Sequence, residues 1–383
     1  MDPASAATAP PDTLRERIRA FRGRHKRLET VLFFAGGFCF DLLLLERIDS
    51  VPMLIHQGSY LLLLSILLTV DHHFAFGGEP RGRWGKILHW RTELIHFLFG
   101  TLLNAFLVFY FKAAAGWWAL AFLSGLCALL LANEMEAFRK LGPMMRVALW
   151  SFAAASYFEY LLPVVLGFLS PWIFVLAVGL AALCTFTMWD LSSRWTPDPG
   201  WTFARACLPG LSIQALLVAL YFLHIVPPVP LSIKAIGIYH GAMRDGPSIH
   251  LLETQSLWPK LFRPHGETVF LARPGDRVYL RVRVFAPRNF RDGVRIRWAF
   301  HDARHGWTST DAMPLTLSGG QEQGWSALAW KENYQPGEWR VNVETNDGRD
   351  VGYLRFRIAA DDGTGERILD EEIEGPAAHE SAG

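Results

Sequence analysis

The chain has 383 residues, of which 51% are hydrophobic and only 19% are charged, and its formal net charge is +1. An ordinary soluble domain carries about 25% charged residues, so this composition excludes a wholly soluble enzyme and a disordered or collagen-like chain. A net charge this close to zero also gives no argument for nucleic acid as a partner.

Charged residues are spread unevenly along the chain. Residues 30–226 hold 22 Asp, Glu, Lys and Arg in 197 positions, whereas the other 186 positions hold 51. We therefore expect a membrane-embedded half and a soluble half. The last of the four cysteines is Cys207 and no CxxC pair occurs, so neither a disulfide framework nor a cysteine metal site is expected.

The first 29 residues form a basic arm that we expect to be partly disordered. Residues 1–13 are rich in Ala and Pro, which is typical of disorder. Seven Lys and Arg follow between Arg15 and Arg27. An arm of this kind beside a membrane binds anionic lipid headgroups, which is a simpler account than nucleic-acid binding.

Seven apolar segments follow the arm, and each approaches the ~20 mostly apolar residues of a transmembrane helix. The first is the weakest, because it contains Asp41. The fifth and sixth are joined by Ser170 and Pro171 alone, which predicts a tight helical hairpin. The predicted spans are residues 30–48, 51–70, 93–112, 116–133, 147–169, 171–191 and 207–226.

Lys and Arg near the span ends predict the orientation of the bundle. Alternate connections carry 16 of these residues on one side and 3 on the other. The richer side includes the basic arm, so we expect the N-terminus in the cytoplasm. Seven spans then place the C-terminal half on the opposite side of the membrane.

A β-domain is predicted after the stiff linker at residues 227–232. Residues 233–358 contain short runs of alternating polar and apolar residues between turn signals, which indicates an all-β, immunoglobulin-like sandwich. In one run, Val278 and Leu280 face one side while Tyr279 and Arg281 face the other. The acidic residues 359–383 are expected to be disordered. The predicted strands are residues 233–239, 248–253, 268–272, 277–286, 294–301, 313–318, 325–331, 338–346 and 351–358.

Four short motifs lie within residues 290–358: an Arg-Trp strand, a Gly-Trp strand ending in Lys, a Pro-Gly-x-Trp-Arg-Val strand, and an Asp-Gly turn before a strand with Phe. With these motifs the segment resembles an uncharacterised bacterial domain family, and it departs from the pattern at Ser326, where the family often has Arg. The resemblance implies a multi-span inner-membrane protein in which this domain follows the spans, and it implies no activity. The predicted orientation places the domain in the periplasm. The matching residues are Arg297, Trp298, Gly324, Trp325, Lys331, Pro336, Gly337, Trp339, Arg340, Val341, Asp347, Gly348 and Phe356.

Polar residues inside the predicted spans are candidates for function, because ionisable groups are costly at membrane depth. They are Asp41, Asn104 and Glu159. One interpretation is a proton or substrate relay in a transporter. The alternative is an interhelical hydrogen bond, for Glu159 with Asn104 or Tyr157.

Histidines and carboxylates also cluster near the predicted cytoplasmic ends of the spans. Glu93 and His96 are spaced i, i+3, so they share a helix face, and His89 extends the stripe. Such a set could bind one Zn or Fe ion in an intramembrane enzyme, whereas the alternative is helix caps and headgroup contacts without a cofactor. The candidate ligands are His72, His73, His89, Glu93, His96 and Glu134.

Aromatic residues are the ligand-binding candidates of the β-domain. Trp307 lies in a turn-like segment beside His301 and His305, and Trp330 is a further candidate. Trp325 and Trp339 are expected in the core. No G-x-S-x-G, P-loop or H-E-x-x-H motif occurs. The sequence therefore favours an envelope protein whose β-domain binds a glycan, a peptide or a partner protein, with the bundle as anchor, and it identifies no catalytic residue.

Overall fold

The computed structural model describes most of the chain from residue 50 onward. The predicted first span with Asp41, the basic arm and His89 lie outside the described residues. The described ranges are 50–77, 90–134, 142–246, 248–254, 265–287, 290–317, 324–363 and 365–374.

The N-terminal part of the described chain is helical. Five helical segments are long and apolar enough to cross a membrane: Val51–Phe76, Arg91–Ala113, Met144–Leu166, Pro171–Ser193 and Pro199–Phe222. They match the predicted second, third, fifth, sixth and seventh spans, while the predicted fourth span lies in the helix Gly116–Glu134, whose apolar segment Gly116–Leu131 is shorter. The helices are α1 (Val51–Gly77), α2 (Arg91–Ala113), α3 (Gly116–Glu134), α4 (Pro143–Leu166), α5 (Pro171–Ser193), α6 (Pro199–Thr202) and α7 (Leu208–Phe222).

The predicted hairpin between α4 and α5 is present. Gly167 ends α4 in the left-handed conformation, with φ +84°. Ser170 is the N-cap of α5, and its hydroxyl accepts a 3.3 Å hydrogen bond from the backbone N–H of Trp172. Both are ordinary solutions for a helix end, so the turn follows from local sequence.

A π-helical turn, Phe203–Cys207, joins α6 to α7. The N–H of Leu208 bonds to the carbonyl of Phe203, five residues earlier. Pro209 follows directly and has no N–H to donate, which explains why the regular hydrogen-bond ladder is interrupted here.

The C-terminal part is an all-β domain of three sheets. One sheet has the order β1-β5-β8, the second β4-β10-β9-β6-β7 and the third β11-β3-β2. Neighbouring strands are antiparallel except for β4 and β10, which are parallel. The strands are β1 (Ser232–Tyr239), β2 (Gly241–Asp245), β3 (Ser248–Thr254), β4 (Val269–Ala272), β5 (Val278–Phe285), β6 (Gly293–Asp302), β7 (Gly306–Thr316), β8 (Trp325–Lys331), β9 (Gly337–Thr345), β10 (Asp350–Ala360) and β11 (Leu369–Glu374).

The first two sheets form the expected β-sandwich. Val282 from one sheet and Val341 from the other lie in a single fully buried core, together with Trp298. Trp339 is also buried in this core and Trp325 packs against it, as predicted. Alternation of side chains along the strands therefore identified the inner faces correctly.

Three strands at the edges of the sheets differ from expectation. The tail at residues 359–383 was predicted to be disordered, but Leu369–Glu374 forms β11 and pairs with β3. β2 was not predicted, and β7 begins at Gly306 rather than at residue 313. These three strands carry few alternating apolar residues and lie at sheet edges, where polar side chains remain in water and the alternating pattern is lost.

The third sheet also changes the environment of the outer face of β5. Arg281, predicted on the face opposite the core, has only 2% of its side chain exposed. Glu374 of β11 forms an ion pair with it, and the same carboxylate accepts a 2.9 Å hydrogen bond from Arg283. Burial and the charge of Arg283 lower the pKa of Arg281 to about 10.

The β-domain packs directly on the helical bundle. The predicted linker is a buried connection, because Val229 belongs to the core of the bundle and Leu231 to the core of the sandwich. Leu169 of the α4–α5 turn packs against the sandwich core. Its backbone N–H donates to Oδ2 of Asp292 at 3.1 Å, and the N–H of Arg291 donates to the carbonyl of Gly167 at 2.7 Å.

Candidate functional site

An aromatic and cationic surface lies on the outer face of the five-stranded sheet. The guanidinium carbon of Arg340 is 5.0 Å from the ring centre of Trp307 and 6.0 Å from that of Tyr353. The guanidinium carbon of Arg355 is 5.6 Å and 5.5 Å from the same two rings. His301 meets Trp307 edge-on at 5.0 Å between ring centres. We call these five residues the distal cluster.

The strand register assembles the distal cluster. His301 on β6 is paired with Trp307 on β7, and Arg340 on β9 is paired with Arg355 on β10. Like charges directly opposite each other on neighbouring strands are unfavourable. The aromatic rings compensate, because a guanidinium group over a ring is attracted by its electrons. An acidic group placed between the two arginines would add a further favourable interaction.

The turn between β6 and β7 is held by Asp302. One carboxylate oxygen accepts hydrogen bonds from the backbone N–H groups of Arg304 and His305 at 2.8 and 2.9 Å, and it lies 3.0 Å from Nδ1 of His305. These bonds hold the pKa of Asp302 below its ordinary value. Gly306 closes the turn with φ +70°, a conformation that suits glycine.

The predicted ligand-binding residues are only partly brought together. Trp307 and His301 are in contact, and His305 lies in the adjoining turn with an exposed imidazole. Trp330 is exposed as well, but it lies on β8 in a different sheet. Sequence reasoning missed the contribution of Tyr353 and Arg355, because only the register of β9 and β10 places them beside Arg340.

A second group of polar residues lies where the bundle meets the β-domain. The hydroxyl of Tyr110 on α2 donates a 2.6 Å hydrogen bond to Oε2 of Glu159 on α4, and it lies 3.2 Å from Oγ of Ser156. Tyr157, one of the two expected partners of Glu159, donates to the carbonyl of Leu54 at 3.2 Å. Glu159 is therefore buried in an interhelical hydrogen bond, as one of the two interpretations from sequence expected, but the partner shown is Tyr110, which was not predicted.

The β9–β10 turn extends this group from the other domain. Nε of Arg349 donates to Oδ2 of Asp347 at 2.9 Å, and the guanidinium carbon lies 4.3 Å from the ring centre of Tyr221 on α7. The hydroxyl of Tyr221 donates to the same Asp347 oxygen at 3.3 Å. Arg349 is also near enough to Glu159 for electrostatic interaction. Tyr110, Ser156, Glu159, Tyr221, Asp347 and Arg349 are called the interdomain cluster below.

The charge of Arg349 determines the ionisation state of Asp347. Burial alone would raise the pKa of Asp347, but the positive charge of Arg349 and hydrogen bonds from Thr345 and Arg349 hold it below its ordinary value. Asp347 is therefore ionised at neutral pH. The Asp-Gly turn seen in the sequence thus brings an ion pair against the bundle.

The candidate metal ligands of the bundle do not form a group among the described residues. His96 is buried on α2, whereas Glu93 is exposed on the same helix. His73 instead meets Trp195 edge-on at 4.9 Å between ring centres. His89 and the side chain of Glu134 lie outside the described residues.

A different triad has potential ligand atoms close together. In the described part of the chain, ligand atoms of His265, Glu372 and Glu374 lie within 4.8 Å of one another. Glu374, however, is already bound by Arg281 and Arg283. Two guanidinium groups at this distance oppose the binding of a cation, so the triad fits an ion-pair network better than a metal centre.

Comparison with known proteins identifies one family in part of the chain. Residues 292–358, which run from β6 to β10, match a family described as "Protein of unknown function (DUF2914)". This segment contains the distal cluster and the β9–β10 turn. No curated protein matches the chain.

Three solved structures illustrate what the chain is similar to, and all of these similarities are weak. An immunoglobulin-like protein from Pseudomonas aeruginosa is 13% identical over 34% of this chain and 98% of its own, with a TM-score of 0.21. A β-glucosidase from Listeria innocua in complex with gluconolactone is 12% identical over 29% of this chain and 16% of its own, with a TM-score of 0.18. The alkylpurine DNA glycosylase AlkC of Pseudomonas fluorescens, bound to DNA containing an abasic-site analogue, is 12% identical over 82% of this chain and 99% of its own, with a TM-score of 0.21. At these scores none of the three supports a functional argument.

Proposed function

We propose that the protein is an integral protein of a bacterial inner membrane and that its β-domain binds a ligand in the periplasm through the distal cluster. The helices act as the anchor and scaffold. The ligand class is a glycan, a peptide or a partner protein with an acidic group. The observation that carries the proposal is the pair Arg340 and Arg355 set between two aromatic rings on an exposed sheet face.

The position of the distal cluster supports a role in binding. Asp292, just before β6, contacts the bundle, whereas His301 and Trp307 lie at the opposite end of that strand. Nine residues at about 3.3 Å each put about 30 Å between the two ends. The cluster therefore faces away from the membrane in the proposed topology, where a large ligand can reach it.

The composition of the surface also supports binding. Trp, Tyr and Arg are the residue types that contribute most to binding energy at protein interfaces. The two arginines supply hydrogen-bond donors for a carboxylate. A neutral sugar needs a free ring face, whereas each guanidinium already lies near two rings. We therefore favour an acidic ligand over a neutral sugar.

The arrangement of the helix ends supports the proposed topology. Leu166, Pro171 and Phe222 mark helix ends on the side of the β-domain. Asp71 of α1 bonds to Arg91 and Arg146, at the starts of α2 and α4, on the opposite side. Arg91, Arg146 and Arg194, which are the described arginines at these helix ends, lie on this second side, which is the expected cytoplasmic one.

Topology is tested by labelling single exposed cysteines in intact cells and in inverted membrane vesicles. Arg304→Cys, on the β6–β7 turn, should react with a membrane-impermeant maleimide in cells with a permeabilised outer membrane. Arg194→Cys, just after α5, should react only in inverted vesicles. The reverse pattern, or extraction of the protein by carbonate, overturns the proposed anchor and orientation.

Ligand binding is tested by co-sedimentation of the full-length protein, held in nanodiscs, with purified peptidoglycan and with envelope proteins of a bacterium that encodes it. Trp307→Ala and Arg340→Gln should each reduce the bound fraction about tenfold, the loss expected for one interfacial anchor. Trp330→Ala is the matched control, since it removes an exposed tryptophan from another sheet. Equal binding by all three variants, or no binding by the wild type, contradicts the proposal.

A further inference from the structure

A large groove runs along the flank of the helical bundle between α1, α4 and α5. Its volume is about 560 Å³, within the range of sites for small ligands. Leu62 and Ile66 of α1 form one exposed wall, while Tyr157 of α4 and Leu191 of α5 contribute on the other side.

The few polar groups in the groove already have partners. Trp150 Nε1 donates to Oγ of Ser65 at 2.8 Å, and that hydroxyl donates to the carbonyl of Leu61 at 2.7 Å. Thr69 donates to the carbonyl of Ser65 at 2.8 Å. The rest of the groove surface is hydrocarbon, so the groove suits an alkyl chain.

A small pocket that contains Asp71, His72 and Arg146 among mostly apolar residues continues the groove at the end of the bundle opposite the β-domain. Met188 lines both, and Asp71 and His72 of the pocket directly follow Thr69 and Val70 of the groove on α1. The pocket volume is about 50 Å³. On a scale where one water takes roughly 10–15 Å³, this is room for several waters or for one phosphate group.

The pocket contains a buried hydrogen-bond donor without an acceptor. Both carboxylate oxygens of Asp71 are occupied, one by Nε of Arg91 and one by Nη1 of Arg146, each at 2.7 Å. Nε of Arg146 is buried and has no hydrogen-bond partner among the described residues, whereas the imidazole of His72 interacts with the backbone of Ser192. Unpaired buried polar atoms are few in native proteins, and an unseen ligand is a recognised explanation.

The charged groups of the pocket determine the charge that is expected of the ligand. Arg146 lines the pocket at the level of lipid headgroups in the proposed topology, and its buried Nε–H is a cationic donor that has no acceptor among the described residues. A phosphate diester fits, because it is anionic and its oxygens accept hydrogen bonds from guanidinium N–H groups. The adjacent π-helical turn places Ala206 and Cys207 in the pocket wall, and such turns are frequent at functional sites.

We infer that this pocket and groove bind one anionic phospholipid of the cytoplasmic leaflet, with its phosphate at Arg146 and an acyl chain along α1 and α5. This lipid site is separate from the distal cluster, and it rests on the proposed function only in that the bundle lies in a membrane. The lipid fills a seam between α1 and α5 that side chains of those helices leave open.

The test measures lipid retained by the full-length protein after purification from nanodiscs made of equal parts phosphatidylglycerol and phosphatidylcholine. Native mass spectrometry should find one phosphatidylglycerol per chain and little phosphatidylcholine. Arg146→Gln should reduce this retention about tenfold, as expected for a lost charge-assisted hydrogen bond. Asp71 keeps its bond to Arg91 in this variant.

A second variant addresses the groove without changing charge. Thr187 is exposed, lines the groove and bonds only within its own helix in the described contacts, so Thr187→Trp should fold and should block the acyl chain. Arg194→Gln is the control, because Arg194 is an exposed arginine at the same end of the bundle, paired with Asp190. It should retain lipid like the wild type.

Several outcomes would overturn the inference. Equal retention of phosphatidylcholine removes the role of the phosphate pocket, and normal retention by both Arg146→Gln and Thr187→Trp removes the site. Competition by inorganic phosphate as strong as that by lipid makes the pocket an anion site only. Efficient cross-linking of Cys39 to Cys184 would mean that the predicted first span fills the groove. Failure of membrane insertion in the cysteine-labelling test refutes the proposed function instead.

Discussion

Arg349 of the β9–β10 turn lies over the ring of Tyr221 on α7, with 4.3 Å between the guanidinium carbon and the ring centre. Only 3% of the Arg349 side chain is exposed. A residue of the β-domain is thus buried against the bundle, with Asp347 as its carboxylate partner. This contact is one of those that join the two halves of the chain, and it brings a cation into the interdomain cluster.

Replacing Arg349 should loosen the docking of the β-domain. Arg349→Gln leaves the ionised Asp347 without its cation in a buried site, which costs about 3 kcal/mol. We expect a lower unfolding temperature and faster proteolysis of the 223–231 connection. Arg304→Gln, which changes an exposed arginine on the β6–β7 turn, should leave both unchanged. Identical behaviour of the two variants would show that Arg349 does not hold the domains together.

Tyr110 and Glu159 should be energetically coupled. Tyr110→Phe removes the donor to the buried Glu159 carboxyl, and an unsatisfied buried acceptor costs about 1–3 kcal/mol. Once Glu159 is replaced by Leu, the same Tyr110→Phe change should cost less than about 0.5 kcal/mol. Thermal unfolding of the two single variants and the double variant in one detergent measures the coupling, and strictly additive losses would refute it.

Glycine is required at position 210 but not at position 179. A Cβ at Gly210 would clash with Oγ of Ser151 and would lie 2.9 Å from Cγ2 of Thr185, whereas a Cβ at Gly179 would have no neighbour within 4 Å. Gly210→Ala should therefore destabilise the bundle by about 1–3 kcal/mol. Gly179→Ala should be neutral or stabilising by up to about 1 kcal/mol, since alanine favours a helix. Ser151→Ala should restore part of the loss at Gly210, and unfolding temperatures decide the comparison.

The stability of the β-domain should depend on pH through His240. Nδ1 of His240 lies 2.9 Å from Oε1 of Glu267, and both side chains are buried. Burial alone would lower the pKa of His240, but the hydrogen bond and charge of Glu267 raise it above its ordinary value. Protonated His240 therefore stabilises the fold fully at pH below its unfolded value of about 6.5. That stabilisation is lost as pH rises through the higher folded value.

The measurement is the unfolding temperature of the wild type and of His240→Gln between about pH 5.5 and pH 8.5. The wild type should lose more stability than the variant as pH rises. His265 acts in the opposite sense, because burial lowers its pKa, so only the difference between the two proteins reports on His240. A difference that is constant with pH would show that the His240–Glu267 pair does not titrate in this range.

The helices and the inner faces of the sandwich were determined by the sequence alone. A continuous apolar segment of about 20 residues satisfies its backbone hydrogen bonds within itself when it forms a helix. Composition therefore predicted α1, α2, α4 and α5. The turn at Ser170 was predicted as well. Alternation along β5 and β9 likewise identified Val282 and Val341 as core, because successive side chains point to opposite faces of a strand. Both signals are local.

Only the tertiary structure decided which polar residues meet. Arg340 and Arg355 become neighbours through the register of β9 and β10, and Trp307 joins them through β6. Arg281 is buried because β11, a charged segment more than eighty residues later, covers it. Tyr221 meets Arg349 because the two domains pack together. Each of these contacts joins segments far apart in the chain, and the free energy that selects them comes from packing whole elements, which no local pattern of residues records.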